Sequence, residues 1–218
     1  MKKKGRNMNF KITFELDGCG VYYDQYEPLH LDALLSYSLA PMQCKNSNLQ
    51  RDDIPFDVQI PLLRSKVNGH RVWHGSALFV DAKVVDTLRF WRKKFRQSRV
   101  SLAKGSPNLT SGRYREYNTP VPLLLVKKLY AYASGNRKEV VKVLRRNVRS
   151  LGKKRAYGYG KVVNITAEKV EKDYALSAEG VAMRWLPDKR GQKIVRASPP
   201  YWHPLDRVKC LDVGDPVD

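Results

Sequence analysis

Residues 136–162 limit the fold of this chain more than any other stretch: a helix with both ends marked in its sequence runs into a glycine-rich loop and then a strand. Asn136, followed three residues later by Glu139, is a capping-box start, in which the Asn side chain takes an orphan backbone N–H of the first turn. Val140, Val141, Leu144, Val148 and Leu151 recur at the spacing of one buried helix face, while Lys142, Arg145, Arg146 and Arg149 fall on the opposite one. Gly152 stands where a helix C-terminus favours glycine. The loop LGKKRAYGYGKV (151–162) follows, and KVVNITAEKV reads as the strand after it.

Other segments predict the partners of this unit. In MNFKITFELD, Phe10, Ile12, Phe14 and Leu16 alternate with polar residues, the period of a half-buried strand, and DGCG (17–20) ends it as a turn. Leu31, Leu34, Leu35 and Leu39, bracketed by Pro28 and Pro41, predict a helix. Extended pieces are expected near Phe56–Leu63 and Arg71–Val80, and PVPLLLVKKLYAYAS reads as one mostly buried strand. Over residues 82–99 the 4-3-4 spacing of Val84, Leu88, Trp91 and Phe95 predicts a further helix capped by Asp81, with Arg89, Arg92, Arg96 and Arg99 on a neighbouring face. Residues 101–120 read as a long loop or mobile hairpin.

Setting aside an insertion at 82–119 (basic helix plus thumb-like loop), the order is strand, helix, strand, strand, helix, loop, strand. That is the βαββαβ order of an α+β, ferredoxin-like (RRM-like) unit. Residues 170–218 add a C-terminal β extension, with a hairpin in YALSAEGVAMRWLP and an extended piece around Val208–Val213, so the chain reads as a single domain over 1–218. Between these pieces lies SPPYWHP (198–204), where Trp202 is expected to plug a core edge more than to stack on bases and Tyr201 fits either use.

Charge points to the partner class. The 41 Lys+Arg against 21 Asp+Glu give +20 and a pI near 10, a balance that attracts polyanions at long range. From Arg89 to Lys104 there are cations and no acid, whereas surface helices ordinarily interleave both signs, so a polyanion-facing stripe is favoured over a solvated face. The basic start MKKKGRNMNF lacks the apolar stretch of a signal peptide and no apolar run has transmembrane length, so the expected location is cytoplasmic, with no membrane partner. Cys19, Cys44 and Cys210, few and far apart, fit reduced thiols better than a disulfide framework.

The glycine loop is no Walker loop and no dinucleotide fingerprint, because its glycines follow a helix instead of opening one. Its composition still suits RNA. Lys153, Lys154 and Arg155 supply charge for phosphates, Gly158 and Gly160 let a backbone approach closely, and Tyr157 and Tyr159 offer faces for bases. The competing reading is a helix cap and turn beside solvated charges.

The chain also resembles a family. FELDG (14–18), EPLHLDALLSYSLAP (27–41), SGRYREY (111–117), NVRSLGKKRAYGYGKV (147–162) and SPPYWHP (198–204) together resemble the RAMP superfamily of CRISPR-associated proteins, and within it the type IV (Csf) effector-complex subunit of the Cas-five-like group. The resemblance implies a subunit at one end of a guide-RNA ribonucleoprotein that holds the 5′ handle of the crRNA. It implies contact with the repeated backbone subunit and the large subunit, and target nucleic acid nearby. A hairpin inserted in such folds, the thumb, wedges the RNA; residues 101–119 are the candidate, which adds Arg113, Tyr114 and Arg115 to the RNA-binding set with Arg92, Arg96 and Arg99.

Enzyme readings have less to stand on. His70 and His74 have an HxxxH spacing, but no Cys or carboxylate pair completes a metal site, and no Ser/His/Asp or nucleophilic Cys signature appears in the sequence. A non-catalytic subunit with no cofactor and no metal is expected. The alternative is a metal-independent RAMP endoribonuclease that processes pre-crRNA, for which His74, Tyr114 and Lys154 supply the groups.

Overall fold

The structure is a computed structural model and describes residues 7–22, 27–43, 57–81, 85–95 and 108–217. In chain order its elements are β1 (Met8–Leu16), α1 (Leu31–Gln43), β2 (Arg64–Val67), β3 (His70–Trp73), β4 (Phe79–Val80), β5 (Val85–Lys93), β6 (Tyr117–Leu125), β7 (Lys128–Gly135), α2 (Arg137–Asn147) and β8 (Val162–Lys169). The short tail strands are β9 (Ser177–Ala178), β10 (Val181–Ala182), β11 (Leu186–Pro187), β12 (Lys193–Arg196) and β13 (Arg207–Leu211).

The main sheet has the order β4-β7-β1-β8, with antiparallel neighbours throughout. It follows that β1 and β4 run parallel with α1 between them in the chain, and β7 and β8 run parallel with α2 between them. Two β-α-β units therefore interleave in an α+β, mostly antiparallel fold. The alternation in β1 does what its period requires: Phe10, Ile12, Phe14 and Leu16 are buried in one cluster with Leu31 and Leu35 of α1 and Val140 and Leu144 of α2. The helices thus cover one face of the sheet.

Asn136 caps α2 as its sequence asks, accepting from the Glu139 N–H while its own amide donates to the Glu139 carboxylate. The helix stops at Asn147, earlier than the apolar pattern suggests, yet Val148 and Leu151 still reach the core from the irregular segment that follows.

The fold departs from expectation in two regions. Residues 85–93 are not a helix: they form β5, paired along its whole length with β6 in an antiparallel hairpin. The 4-3-4 apolar spacing is compatible with a helix, but Val85, Thr87, Phe90 and Trp91 are strand formers, and β6 supplies a partner with Val121 and Leu123 buried. The prolines of β6 fit this arrangement. Pro120 and Pro122 occupy the alternate positions of Leu124, whose N–H points away from β5 and donates to the Val21 carbonyl, so neither proline breaks a rung to β5. The expected single strand over 120–134 is accordingly two strands, β6 and β7, interrupted at Val126 and Lys127.

The second correction concerns the tail. Strands β11, β13 and β12 form their own sheet over a small core of Val72, Ala182, Leu186, Ala197 and Leu211. Arg184, fully buried, joins this tail to the main body: its guanidinium lies 3.0 Å from the Asp32 carboxylate of α1 and donates to the carbonyls of Trp73, Gly75 and Ala197. Tyr201 completes the knot, accepting from Arg184 and donating to Asp32 at 2.8 Å. Tyr201 therefore turns inward, with Pro199 and His203 of SPPYWHP also buried, and Trp202, expected at a core edge, is 72% exposed. The hydroxyl that can answer a buried ion pair turns inward, and the indole beside it is left to solvent.

Candidate nucleic-acid interface

The glycine loop has a base that belongs to the fold and a tip that does not. At the base, the Leu151 N–H donates to the Gly160 carbonyl (2.8 Å), the Gly160 N–H to Gly20 (2.8 Å), the Lys153 N–H to Tyr22 (3.0 Å) and the Val162 N–H to Arg149 (2.9 Å). Gly160 is buried with φ +65°, and a Cβ there would meet the Leu151 carbonyl at 2.0 Å. Its smallness therefore answers to packing within the chain.

The tip is different. Lys154 takes a left-handed conformation (φ +59°), residues Arg155–Tyr157 form a single 3-10 turn, and Gly158 (φ +87°) closes it with nothing within 4 Å of where a Cβ would stand. Lys153, Lys154, Arg155, Tyr157 and Gly158 are exposed, and Tyr159 is half-buried.

Each cation of the tip is aimed past an aromatic ring. The Lys153 ammonium lies 6.0 Å from the Tyr22 ring and 3.3 Å from the Glu27 carboxylate. The Lys154 ammonium lies 5.1 Å from the Trp91 ring, and the Arg155 guanidinium 5.6 Å from the Tyr37 ring. Contacts of this kind hold the Lys154 and Arg155 cations at the surface beside a ring.

The β5–β6 hairpin meets the loop at this point. Trp91 packs edge-on to Tyr157, with ring centroids 3.7 Å apart. Strand alternation puts Thr87, Arg89, Trp91 and Lys93 on that side and Leu88, Phe90 and Arg92 on the other, so Arg89 and Arg92 do not share a stripe. Arg92 donates to the Asn118 side chain across the hairpin (3.0 Å), and Lys93 to the Arg113 carbonyl. Arg113, Tyr114 and Arg115 lie exposed at the far end, where Phe95 packs edge-on to Tyr114. Arg96 and Arg99 lie outside the described residues.

The sequence profile of the family described as CRISPR type IV associated protein Csf3 matches the chain twice, over residues 8–109 and 103–212. The chain belongs to this family. A search of curated proteins finds no match. The matched residues run from the start of β1 past the end of β13, so loop, hairpin and tail all fall within the family's span.

The groups named for catalysis do not converge. His74 is held between two partners, its Nδ1 2.6 Å from the Asp173 carboxylate and its Nε2 2.9 Å from the Ser65 hydroxyl, a Ser–His–Asp trio invisible in chain order. The hydrogen bond from His74 helps hold the Asp173 carboxyl below the usual carboxylate range against the opposing effect of burial. The His74 carbonyl accepts from Ser134, which pairs with Asn9, whereas the glycine loop joins the sheet beside Leu16. From Asn9 to Leu16 an antiparallel strand rises roughly 23 Å. His74 and Lys154 thus sit toward opposite ends of β1. Among the described residues no group of three His, Cys, Asp or Glu is placed to hold a metal ion, and no helix is long and apolar enough to cross a membrane.

Sequence reasoning missed three aromatic members of the surface. The spacing of Trp91 predicts a helix core, and Tyr22 lies past the turn after β1, where it bridges to Lys153. Tyr37 lies off the Leu31–Leu34–Leu35–Leu39 stripe of α1 and is 67% exposed, which is the one signal that marks it.

Proposed function

We propose that this chain is the non-catalytic crRNA-binding subunit of a type IV CRISPR effector ribonucleoprotein, with a ferredoxin-like RAMP fold, capping the 5′ handle of the guide. Family membership supports a place in such a complex, and the interleaved sheet order supports the fold. The observation that carries the RNA reading is the joint between Trp91 and Tyr157. It makes one continuous surface of the hairpin and the glycine-loop tip, with cations set over aromatic rings and the open backbone of Gly158 between them. Single-stranded RNA needs that combination: charge for its phosphates and π-faces for its bases. The backbone and large subunits of the complex are the protein partners in this reading, with target nucleic acid passing nearby.

Binding of labelled handle RNA over a salt series tests it. Replacing Lys153, Lys154 and Arg155 together by Ala should weaken binding and reduce the slope of log K against log salt by about 2, the expectation for three phosphate contacts on a single strand. An unchanged slope sinks the proposal. The endoribonuclease alternative needs His74, Tyr114 and Lys154 in one place, an arrangement the fold does not favour. Cleavage of repeat RNA at a single position without metal would replace our reading with that one.

A further inference from the structure

The C-terminal sheet carries a second surface, chemically unlike the first. Trp202 is 72% exposed, Leu205 50% and Ile194 61%, and they flank the exposed cations Arg207 and Lys209. The sheet register brings them together. Ile194 pairs with Lys209 and Arg196 with Arg207, two residues along on the same face. Arg207 then donates to the Trp202 and His203 carbonyls, and Arg196 to those of Ser198 and Leu205, which fixes the turn carrying the indole over this face. The turn is also pinned from below, because Tyr201, adjacent to Trp202, is locked to Arg184 and Asp32. The indole therefore stands on a rigid base, which lowers the entropic cost of using it as an anchor.

We infer that this patch docks a protein, one presenting an apolar pocket for Trp202 with an acidic rim for Arg207 and Lys209. Three observations select that occupant. Exposed Leu and Ile side chains beside the Trp, together with Arg, have the composition of a protein interface core. The rim cations ask for carboxylates opposite, since charge complementarity sets register and association rate. A second copy of this chain is disfavoured by its own charge of +20. The patch belongs to a different sheet and a different core from the glycine loop, so docking and RNA binding use separate surfaces. The inference rests on the reading of this chain as a complex subunit only for the choice of probe.

The test co-expresses the full chain with the other protein subunits of a type IV complex and measures how much of each subunit it retains on purification. Separately, the isolated chain is titrated with handle RNA. Trp202→Ala and, independently, Lys209→Glu should each lower subunit retention about tenfold or more, with the melting temperature and RNA affinity of the isolated chain unchanged. Retention equal to wild type in both variants overturns the inference. So does loss of RNA affinity in Trp202→Ala, which would make the patch a nucleic-acid site, or a wild-type dimer that Trp202→Ala dissolves, which would make the occupant a second copy. If the wild type binds no handle RNA but loses its partners on Trp202→Ala, the docking surface stands and the handle-capping reading fails.

Discussion

Two glycines of one loop should respond to the same substitution in opposite ways. At Gly158, Ala meets open space, and the whole cost is a left-handed backbone carrying a Cβ, about 1–2 kcal/mol. At Gly160 the same backbone cost applies, but the methyl group would stand 2.0 Å from the Leu151 carbonyl, so the loop base must open. Opening it breaks the hydrogen bonds Leu151 to Gly160 and Gly160 to Gly20, each worth about 1 kcal/mol net. The total is then about 3–4 kcal/mol, and the lost closure also misplaces the tip. Urea denaturation of Gly158→Ala and Gly160→Ala reads the stabilities, and anisotropy with labelled handle RNA reads the binding of the folded fraction. The expectation is a near-native fold with weakened RNA binding for Gly158→Ala, and a stability loss at least 1 kcal/mol larger for Gly160→Ala. Equal stability losses would refute the division of the loop into base and tip. Unchanged RNA affinity in Gly158→Ala would refute the approach of a phosphate to that backbone.

Two further predictions concern the joint between tail and body. Arg184→Met leaves the Asp32 carboxylate buried without its partner and should cost about 3–5 kcal/mol, with part of the loss recovered in the double variant Asp32→Asn/Arg184→Met; a loss under 1 kcal/mol would show that the pair does not hold the tail. His30 donates from Nδ1 to the Pro28 carbonyl and accepts the Trp185 N–H at Nε2, a pattern only the neutral ring can make, and burial together with the Arg184 charge holds its pKa well below 6.5. The unfolded chain therefore binds a proton below about pH 6.5 that the folded chain refuses, and stability should fall with decreasing pH by up to about 1.4 kcal/mol per unit until the folded pKa is reached. His30→Gln should flatten that limb in a pH series of unfolding free energies, and an unaltered limb would exclude His30 as its source.

Local signals carried the parts of this fold in which sequence and packing ask for the same thing. The Asn136–Glu139 cap, the alternation of β1 and the Leu stripe of α1 each follow from contacts within a few residues, and each appears where the pattern puts it. The hairpin was illegible because its strand character depends on β6, which begins more than twenty residues after β5 ends. An apolar spacing of 4-3-4 over so short a span serves a helix or a strand with exposed apolar residues equally well, and only the partner decides. The exchange of Tyr201 and Trp202 has the same cause. Nothing near residue 201 announces a buried Arg184–Asp32 pair assembled from the two ends of the chain. In the candidate site the charges of the loop were legible from composition, whereas the rings that orient them come from three other segments.

The hairpin's two faces explain why a strand pair, and not the expected helix, suits this position. A basic helix would present one cationic stripe and bury its aromatics. Here the face bearing Trp91 closes on Tyr157, while the other exposes Leu88 and Phe90 opposite Pro122 and Pro120. Those prolines also remove N–H donors from the free side of β6, so the hairpin resists strand addition along that edge and keeps its outer face for contact through side chains. One short element thus braces the glycine loop from within and offers an apolar edge outward, with Arg92 and Asn118 hydrogen-bonded beside it. A charged single strand that follows the loop tip would meet first cations held over rings, and then an apolar blade against which a base can unstack.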